Sequence, residues 1–176
     1  MYEVSKIKTW IKKAVKRKGV SDWFVYDPAR QLVSDGGAVF RVTPEMLPTL
    51  FEVFGHLKGG TFAGGECRED VPDMTSFTQR PKETHKLTDS RLRFVLDKKE
   101  HRILYHSGSG AKVILDEKYV DLIQDPEAQE LYTEDTRKPR PVYVLSSMKW
   151  IGTILPIAGL EHFAPLNNLE FKGGLD

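Results

Sequence analysis

The sequence predicts an α+β fold: an antiparallel sheet with helices on one face. Short apolar or alternating runs, typical of strands, are separated by turn signals such as Asp27-Pro28 and Asp35-Gly36-Gly37. Three other segments carry the apolar spacing or the capping residues of helices. The predicted order is helix, strands, helix, strands, helix, hairpin, without the regular alternation of strand and helix that builds a parallel sheet.

Length and composition are those of one ordinary globular domain. The chain has 176 residues, 40% apolar and 29% charged, with a formal net charge of +1. Cys67 is the single cysteine, which excludes an internal disulfide and fits a reducing compartment. No run approaches the roughly 18 apolar residues of a membrane span, and lysines interrupt the region where a secretion signal needs an apolar core. We therefore expect a cytoplasmic protein that does not engage a membrane.

The first helix is predicted to begin at Ser5, as its cap, and to run to Lys18, with Gly19 ending it. Its apolar residues fall at i, i+3, i+4, i+7 and i+8, which places them on one helical face. These residues are Ile7, Trp10, Ile11, Ala14 and Val15.

Two further helices and eight strands are predicted. The strands are 23–26, 31–34, 38–42, 91–96, 102–106, 111–115, 142–145 and 150–155. Thr43-Pro44-Glu45 is typical of a helix start, and Pro48 should shift that start or kink the helix. A short third helix capped by Asp116 should bury Tyr119, Val120, Leu122 and Ile123.

Three segments show no sustained period. Residues 56–90 are rich in glycine and proline and are predicted to be an irregular loop, mobile and quick to exchange its amides. The polar stretch 125–140 is predicted to be a second loop, with at most one helical turn near its start. The predicted domain therefore spans 1–158, followed by an irregular tail over 159–176.

The near-neutral total conceals a strongly uneven distribution of charge. Residues 1–20 contain seven basic side chains and one acid, whereas residues 116–135 contain eight acids and one base. The chain thus has a basic pole at its N-terminus and an acidic segment near its third helix.

No catalytic or metal-binding pattern emerges from the residues. The five histidines form neither H-x-x-x-H nor H-E-x-x-H, although His101 and His106 flank one strand and leave a shared metal open. The glycines at 59–65 lack the Gly-Lys-Ser/Thr of a phosphate-binding loop, and Cys67 is expected to be an ordinary loop thiol. The acidic segment is typical of a solvated loop. We expect a non-enzymatic protein with no cofactor and no metal.

The basic helix is the strongest functional signal. Lysines on an exposed helical face can neutralise phosphates and release counterions, which drives binding to nucleic acid without regard to sequence. The candidate nucleic-acid-binding residues are Lys8, Lys12, Lys13, Lys16, Arg17 and Lys18. One alternative is a charged face that is only solvated. A second and weaker alternative is binding to a membrane surface.

Several short segments resemble one domain of the bacterial DNA polymerase sliding clamp, the β processivity factor. They are Leu32 to Val39, Val71-Pro72-Asp73, Lys112 to Ile123, and the hairpin from Val142 to Ile157 with its Ile154-Leu155-Pro156-Ile157 ending. The resemblance touches roughly residues 4–158. It implies a DNA-clamp-like pseudo-twofold domain, each half a helix on antiparallel strands.

The resemblance also implies a function and its partners. It indicates a DNA-associated protein acting in replication or on replication proteins, with a phage or mobile element as its expected source. Duplex DNA or replication proteins would be its partners, Leu155, Pro156 and Ile157 its partner-binding residues, and homo-oligomerisation is open. Two features depart from the family: its chains carry three such domains, and the helix at 116–124 is acidic here. The alternative is a protein-interaction or inhibitor module of phage origin without DNA binding. An enzyme with an unrecognised site in 56–90 is the remaining one.

Overall fold

The computed structural model describes residues 2–16, 23–55, 58–64, 66–96, 100–123, 129–134 and 140–157. Within these ranges the chain is an α+β protein with one eleven-stranded sheet and three α-helices. Every strand pairing in these ranges is antiparallel. The predicted α+β class and antiparallel sheet are confirmed.

The helices are α1 Val4–Val15, α2 Leu47–Phe54 and α3 Glu117–Val120, with 3-10 turns at Pro44–Met46 and Thr75–Thr78. The first strands are β1 Trp23–Asp27, β2 Leu32–Ser34, β3 Ala38–Arg41, β4 Gly60–Ala63 and β5 Glu66–Arg68. The remaining strands are β6 His85–Leu96, β7 Glu100–Ser107, β8 Lys112–Asp116, β9 Glu130–Thr133, β10 Val142–Ser146 and β11 Lys149–Ile154.

The sheet contains the same connection twice. Strands β1 to β3 are adjacent in chain order, α2 then leads to β4 on the other side of β1, and β5 follows outside β4. Strands β6 to β8 are likewise adjacent, α3 leads to β9 on the other side of β6, and β10 follows outside β9. The final strand, β11, pairs with both β10 and β3 and thereby joins the two segments into one sheet.

Alternation along β1, β2 and β3 separates two apolar layers. Val33 and Phe40 face the larger core, whereas their neighbours Leu32 and Val39 face a smaller one on the opposite side. All three α-helices pack into the larger core, so that side is called the inner face. The outer face of β1–β3 and β11 is covered by the 71–78 segment, in which Met74 is buried.

One buried carboxylate ties two helices to the sheet. Asp35, in the turn between β2 and β3, is 8% exposed. It accepts hydrogen bonds from Trp10 Nε1 of α1 at 3.0 Å and from Tyr119 Oη of α3 at 2.8 Å. Gly37 follows in this turn because a Cβ there would clash with the Tyr119 hydroxyl. Helices distant in sequence are thus fixed to the same turn.

The helix starts need correction. α1 begins at Val4 with Glu3 as its N-cap residue, and Ser5 lies inside the helix, donating a hydrogen bond to Glu3 Oε1 at 3.0 Å. The predicted start after Thr43 is a 3-10 turn, and the α-helix follows at Leu47. Pro48 lies in the first turn of this helix, where a proline is tolerated, and the start is shifted as its position in the sequence predicted. The predicted end of α1 at Lys18 and Gly19 lies outside the described residues.

The prediction of an irregular loop over 56–90 was wrong where the segment forms strands, whereas 69–84 has no strand or α-helix. Strands β4 and β5 occupy 60–63 and 66–68, and β6 begins at His85. β4 has no alternating pattern of its own and forms because its backbone pairs with β1. Gly60 has a φ of +146°, and a Cβ there would clash with the Arg68 carbonyl oxygen, which explains the glycine. β9 likewise replaces part of the predicted polar loop 125–140, and the predicted tail 159–176 lies outside the described residues.

Candidate nucleic-acid interface

α1 buries its apolar stripe and leaves its lysines facing away from the core. Ile7, Trp10, Ile11 and Ala14 are buried, as predicted. The Trp10 ring packs edge-on against Phe24 and Phe40, with ring centroids 5.4 and 5.6 Å apart. Because this packing fixes the rotation of the helix, it also fixes which side chains reach solvent.

The lysine face of α1 consists of Lys8, Lys12, Lys13 and Lys16. The last three are exposed and Lys8 is half-buried. Lys8, Lys12 and Lys16 follow one another at four-residue spacing, so they lie in one row along the helix, and Lys13 lies on the other flank of the exposed surface. The structure therefore brings four of the six candidate residues together, whereas Arg17 and Lys18 lie outside the described residues.

Carboxylates of the neighbouring helices reach part of α1. Lys12 Nζ lies 3.0 Å from Glu52 Oε2 of α2, and Lys6 Nζ lies 3.8 Å from Asp121 Oδ2, just after α3. Both pairs are solvent-exposed and contribute little to stability. No carboxylate of the described residues lies within ion-pair distance of Lys8, Lys13 or Lys16. These three ammonium groups are the ones free to meet an external anion.

A groove of about 410 Å³ runs between α1 and α3. Lys6, Lys13 and Lys118 contribute its positive charge and Asp121 its negative charge. Lys118 Nζ is already engaged, 3.5 Å from Asp116 Oδ2 and 4.4 Å from the centroid of the Tyr119 ring. Lys13 is therefore the lysine of this groove best placed for an outside ligand.

The acidic segment is divided among separate structural roles. Asp116 caps α3, its Oδ1 accepting from the Lys118 amide at 3.0 Å, as predicted. Glu130 Oε1 lies 2.9 Å from Lys86 Nζ, on the neighbouring strand. Within the described ranges, no three His, Cys, Asp or Glu side chains come together as a metal site would require.

Cys67 lies exposed on the edge strand β5. Partial burial, together with the carboxylates of Glu69 and Asp70, raises the pKa of its thiol. A raised pKa lowers the thiolate fraction at neutral pH, which is the opposite of what activates a nucleophilic cysteine.

The candidate partner-binding residues Leu155, Pro156 and Ile157 are half-buried along the body of the protein. The Leu155 amide donates to the Gly37 carbonyl at 2.8 Å, and the Ile157 amide donates to the Ile114 carbonyl of β8 at 3.0 Å. The segment is held in place by its backbone, and its side chains are only partly available to a partner.

A second basic surface was not predicted. Arg30, Arg41 and Lys149 converge with Trp150 around an outer groove of about 630 Å³ on the outer face of the sheet. They come from three separate segments, of which only the one with Lys149 is distant in the chain, and none lies in a charged run. The single local signal was Arg41, a charged residue at the outward-facing end of an otherwise apolar strand.

Comparison with protein-family models, with curated proteins and with solved structures finds no match. In the part of the chain that the structure describes, none of the helices combines the length and the apolar character needed to cross a bilayer. A function must therefore be argued from the surfaces of the chain itself.

Proposed function

We propose that the protein is a non-enzymatic, DNA-associated protein of sliding-clamp-like design that acts in replication or on replication proteins. The lysine face of α1 is its DNA contact. The observation that carries this proposal is the set of Lys8, Lys13 and Lys16 on the side of α1 that faces away from the core, without carboxylate partners among the described residues. Phosphate contacts of this kind hold a duplex without reading its bases.

The repeated strand connection supports the clamp-like part of the proposal. Segments β1–β5 and β6–β10 place their strands in the same relative order, each with a helix at the same point of the connection. Such a repeat is what two related halves would produce. The helices gather on one face of the sheet, and α1, which carries the lysine face, lies on that side.

The lysine face can be tested by charge reversal. The triple variant Lys8→Glu, Lys13→Glu, Lys16→Glu should lose binding to a labelled duplex, since the phosphates would meet three carboxylates. The wild-type affinity should fall with salt at a log-log slope of roughly −0.9 per phosphate contacted. Fluorescence anisotropy across a salt series measures both quantities, and circular dichroism confirms the fold.

The matched control is Lys58→Glu, Lys82→Glu, Lys86→Glu, which changes the net charge equally at exposed positions away from α1. It should keep the wild-type salt slope. A wild type that does not bind at about 50 mM salt would overturn the proposal. Equal affinities of the two triple variants would also count against it, and either result favours a protein-interaction or inhibitor module without DNA binding.

Glu52 offers a test in the opposite direction. Its carboxylate competes with DNA for Lys12, whose Nζ it approaches to 3.0 Å. Glu52→Gln should therefore tighten duplex binding, by roughly two- to fivefold given the weakness of exposed ion pairs. Glu69→Gln, which releases Lys58 on another surface, is the control and should leave the affinity unchanged. The same anisotropy titration decides it: an unchanged affinity for Glu52→Gln would show that Lys12 makes no DNA contact.

A further inference from the structure

We propose that the outer groove binds a nucleotide, with its phosphate on Arg41 and Lys149 and its base against Trp150. The groove lies on the face of the sheet opposite the helices. The inference goes beyond the proposed function and does not depend on α1. The same chemistry could come from a free mononucleotide or from one unit of a single strand.

The fold brings the groove residues together in a defined way. Phe40 faces the inner core, so its neighbour Arg41 faces outward, directly across from Leu32 of β2. β11 pairs with β3 and so carries Lys149 and Trp150 to the same side. Arg30 enters from the turn between β1 and β2, and the 71–78 segment closes the remaining wall.

The charge of the groove is positive and largely uncompensated. Arg30 is engaged, with Nη1 2.9 Å from Asp27 Oδ2 and Nη2 4.0 Å from Asp73 Oδ1 at the rim. No carboxylate of the described residues lies within ion-pair distance of Arg41 or Lys149. Among the residues that the structure describes, none of those lining the groove is a carboxylate. Two cations on one concave wall repel each other, and a bound anion would remove that repulsion.

The side chains that line the outer groove favour a nucleotide over other anions. Arg41 offers a planar fork of donors suited to phosphate, and Lys149 adds a point charge. The indole N–H of Trp150 donates to Thr153 Oγ1 at 3.0 Å, and its ring packs partly against the smaller core, so Trp150 offers a ligand the half-exposed part of its aromatic surface. Arginine, lysine and an aromatic platform together are typical of single-strand recognition, in which bases stack without being read.

The proposed stacking of a base on Trp150 requires an unpaired nucleotide. About 630 Å³ is within the range of small-molecule pockets and accommodates one nucleotide. A base can reach Trp150 only when it is unstacked from its neighbours, which a duplex does not permit without distortion. The ligand is therefore unpaired.

Calorimetric titration of the full chain tests the inference with four probes: adenosine monophosphate, adenosine, inorganic phosphate and a short oligothymidylate. Adenosine monophosphate should bind at least tenfold more tightly than adenosine or phosphate, because of these three probes it alone carries both a base and a phosphate. Arg41→Gln with Lys149→Gln should weaken it roughly tenfold or more. Trp150→Leu, which keeps an apolar side chain, should weaken it roughly fivefold or more.

The control Lys58→Gln with Arg68→Gln loses the same two charges outside the groove and should bind like the wild type. Oligothymidylate binding that is weakened by the groove variants identifies a single strand as the source, and mononucleotide binding alone identifies a free nucleotide. The α1 triple variant should bind adenosine monophosphate as the wild type does. A failure of the DNA proposal can therefore be distinguished from a failure of nucleotide binding in the groove. Absence of binding by both nucleotide probes at millimolar concentration, phosphate binding as tight as the mononucleotide, or binding indifferent to Arg41 and Lys149 would each overturn the inference.

Discussion

Asp35→Ala is expected to lower the free energy of unfolding by about 3 kcal/mol, since it leaves two buried donors without their acceptor. Trp10 Nε1 and Tyr119 Oη both donate to this carboxylate, from α1 and α3 respectively. For a chain of this length the loss corresponds to a fall in Tm of roughly 6–12 °C. Urea unfolding followed by tryptophan fluorescence measures the free energy directly.

Two further variants separate the effect of losing these hydrogen bonds from the effect of losing a negative charge. Asp121→Ala removes an exposed carboxylate beside α3 and should remain close to the wild type. In a Tyr119→Phe background one of the two donors is already absent, so the cost of Asp35→Ala should be smaller by about 1 kcal/mol or more. Equal costs in both backgrounds would contradict the role assigned to the Tyr119 hydrogen bond.

Phe40→Ala is expected to cost about 3–5 kcal/mol, the range for deleting a buried aromatic side chain. Phe40 is fully buried, and the rings of Tyr2 and Trp10 meet it edge-on, each with its centroid 5.6 Å away. Its loss opens a cavity at the point where α1, β3 and Tyr2 meet. Thermal and urea unfolding both report the change.

Gly152 provides an internal check on this cavity. It pairs with Phe40 across β11 and β3, and a Cβ at position 152 would clash with the Phe40 ring. Gly152→Ala should therefore be destabilising in the wild type and much less so in the Phe40→Ala background, where the ring is gone. Met148→Ala, at a position 85% exposed, should change stability by less than about 0.5 kcal/mol. Additive effects of Gly152→Ala and Phe40→Ala would show that the added Cβ and the Phe40 ring do not compete for the same space.

The elements that could be predicted from the sequence carry their own local signal. The spacing of Ile7, Trp10, Ile11 and Ala14 defines both the helix and its buried face, and all four are buried. The alternation of Ala38, Val39 and Phe40 between the two apolar layers likewise follows from the strand itself. Periodicity is a property of neighbouring residues, so it can be interpreted without knowledge of the rest of the fold.

The missed elements depend on partners that are distant in the chain. β4 and β9 are strands because β1, β6 and β10 offer them backbone hydrogen bonds, and their own residues show no clear pattern. The N-cap of α1 was missed because several residues near the start, Ser5 among them, could serve, and propensity does not choose among them.

For the candidate interface, too, the sequence predicts what depends on neighbouring residues and misses what depends on distant ones. Exposure of Lys12, Lys13 and Lys16 follows from the helical period, and the structure agrees. Which lysines are neutralised could not be predicted, because Glu52 and Asp121 reach α1 only through packing of the helices. The outer groove was beyond prediction for the same reason, since three separate segments of the sheet assemble its charges.

The place of β11 in the sheet has a consequence for protein synthesis. β11 lies between β3 and β10. Within the described sheet, strands β1–β5 therefore connect to strands β6–β10 through β11, which lies near the end of the described chain. On the ribosome, β3 emerges long before its neighbour is made, and its edge stays open throughout that interval. Pairing across so much intervening chain slows folding and leaves strand edges exposed to other molecules. A nascent chain stalled before Lys149 should therefore be a favoured client of chaperones.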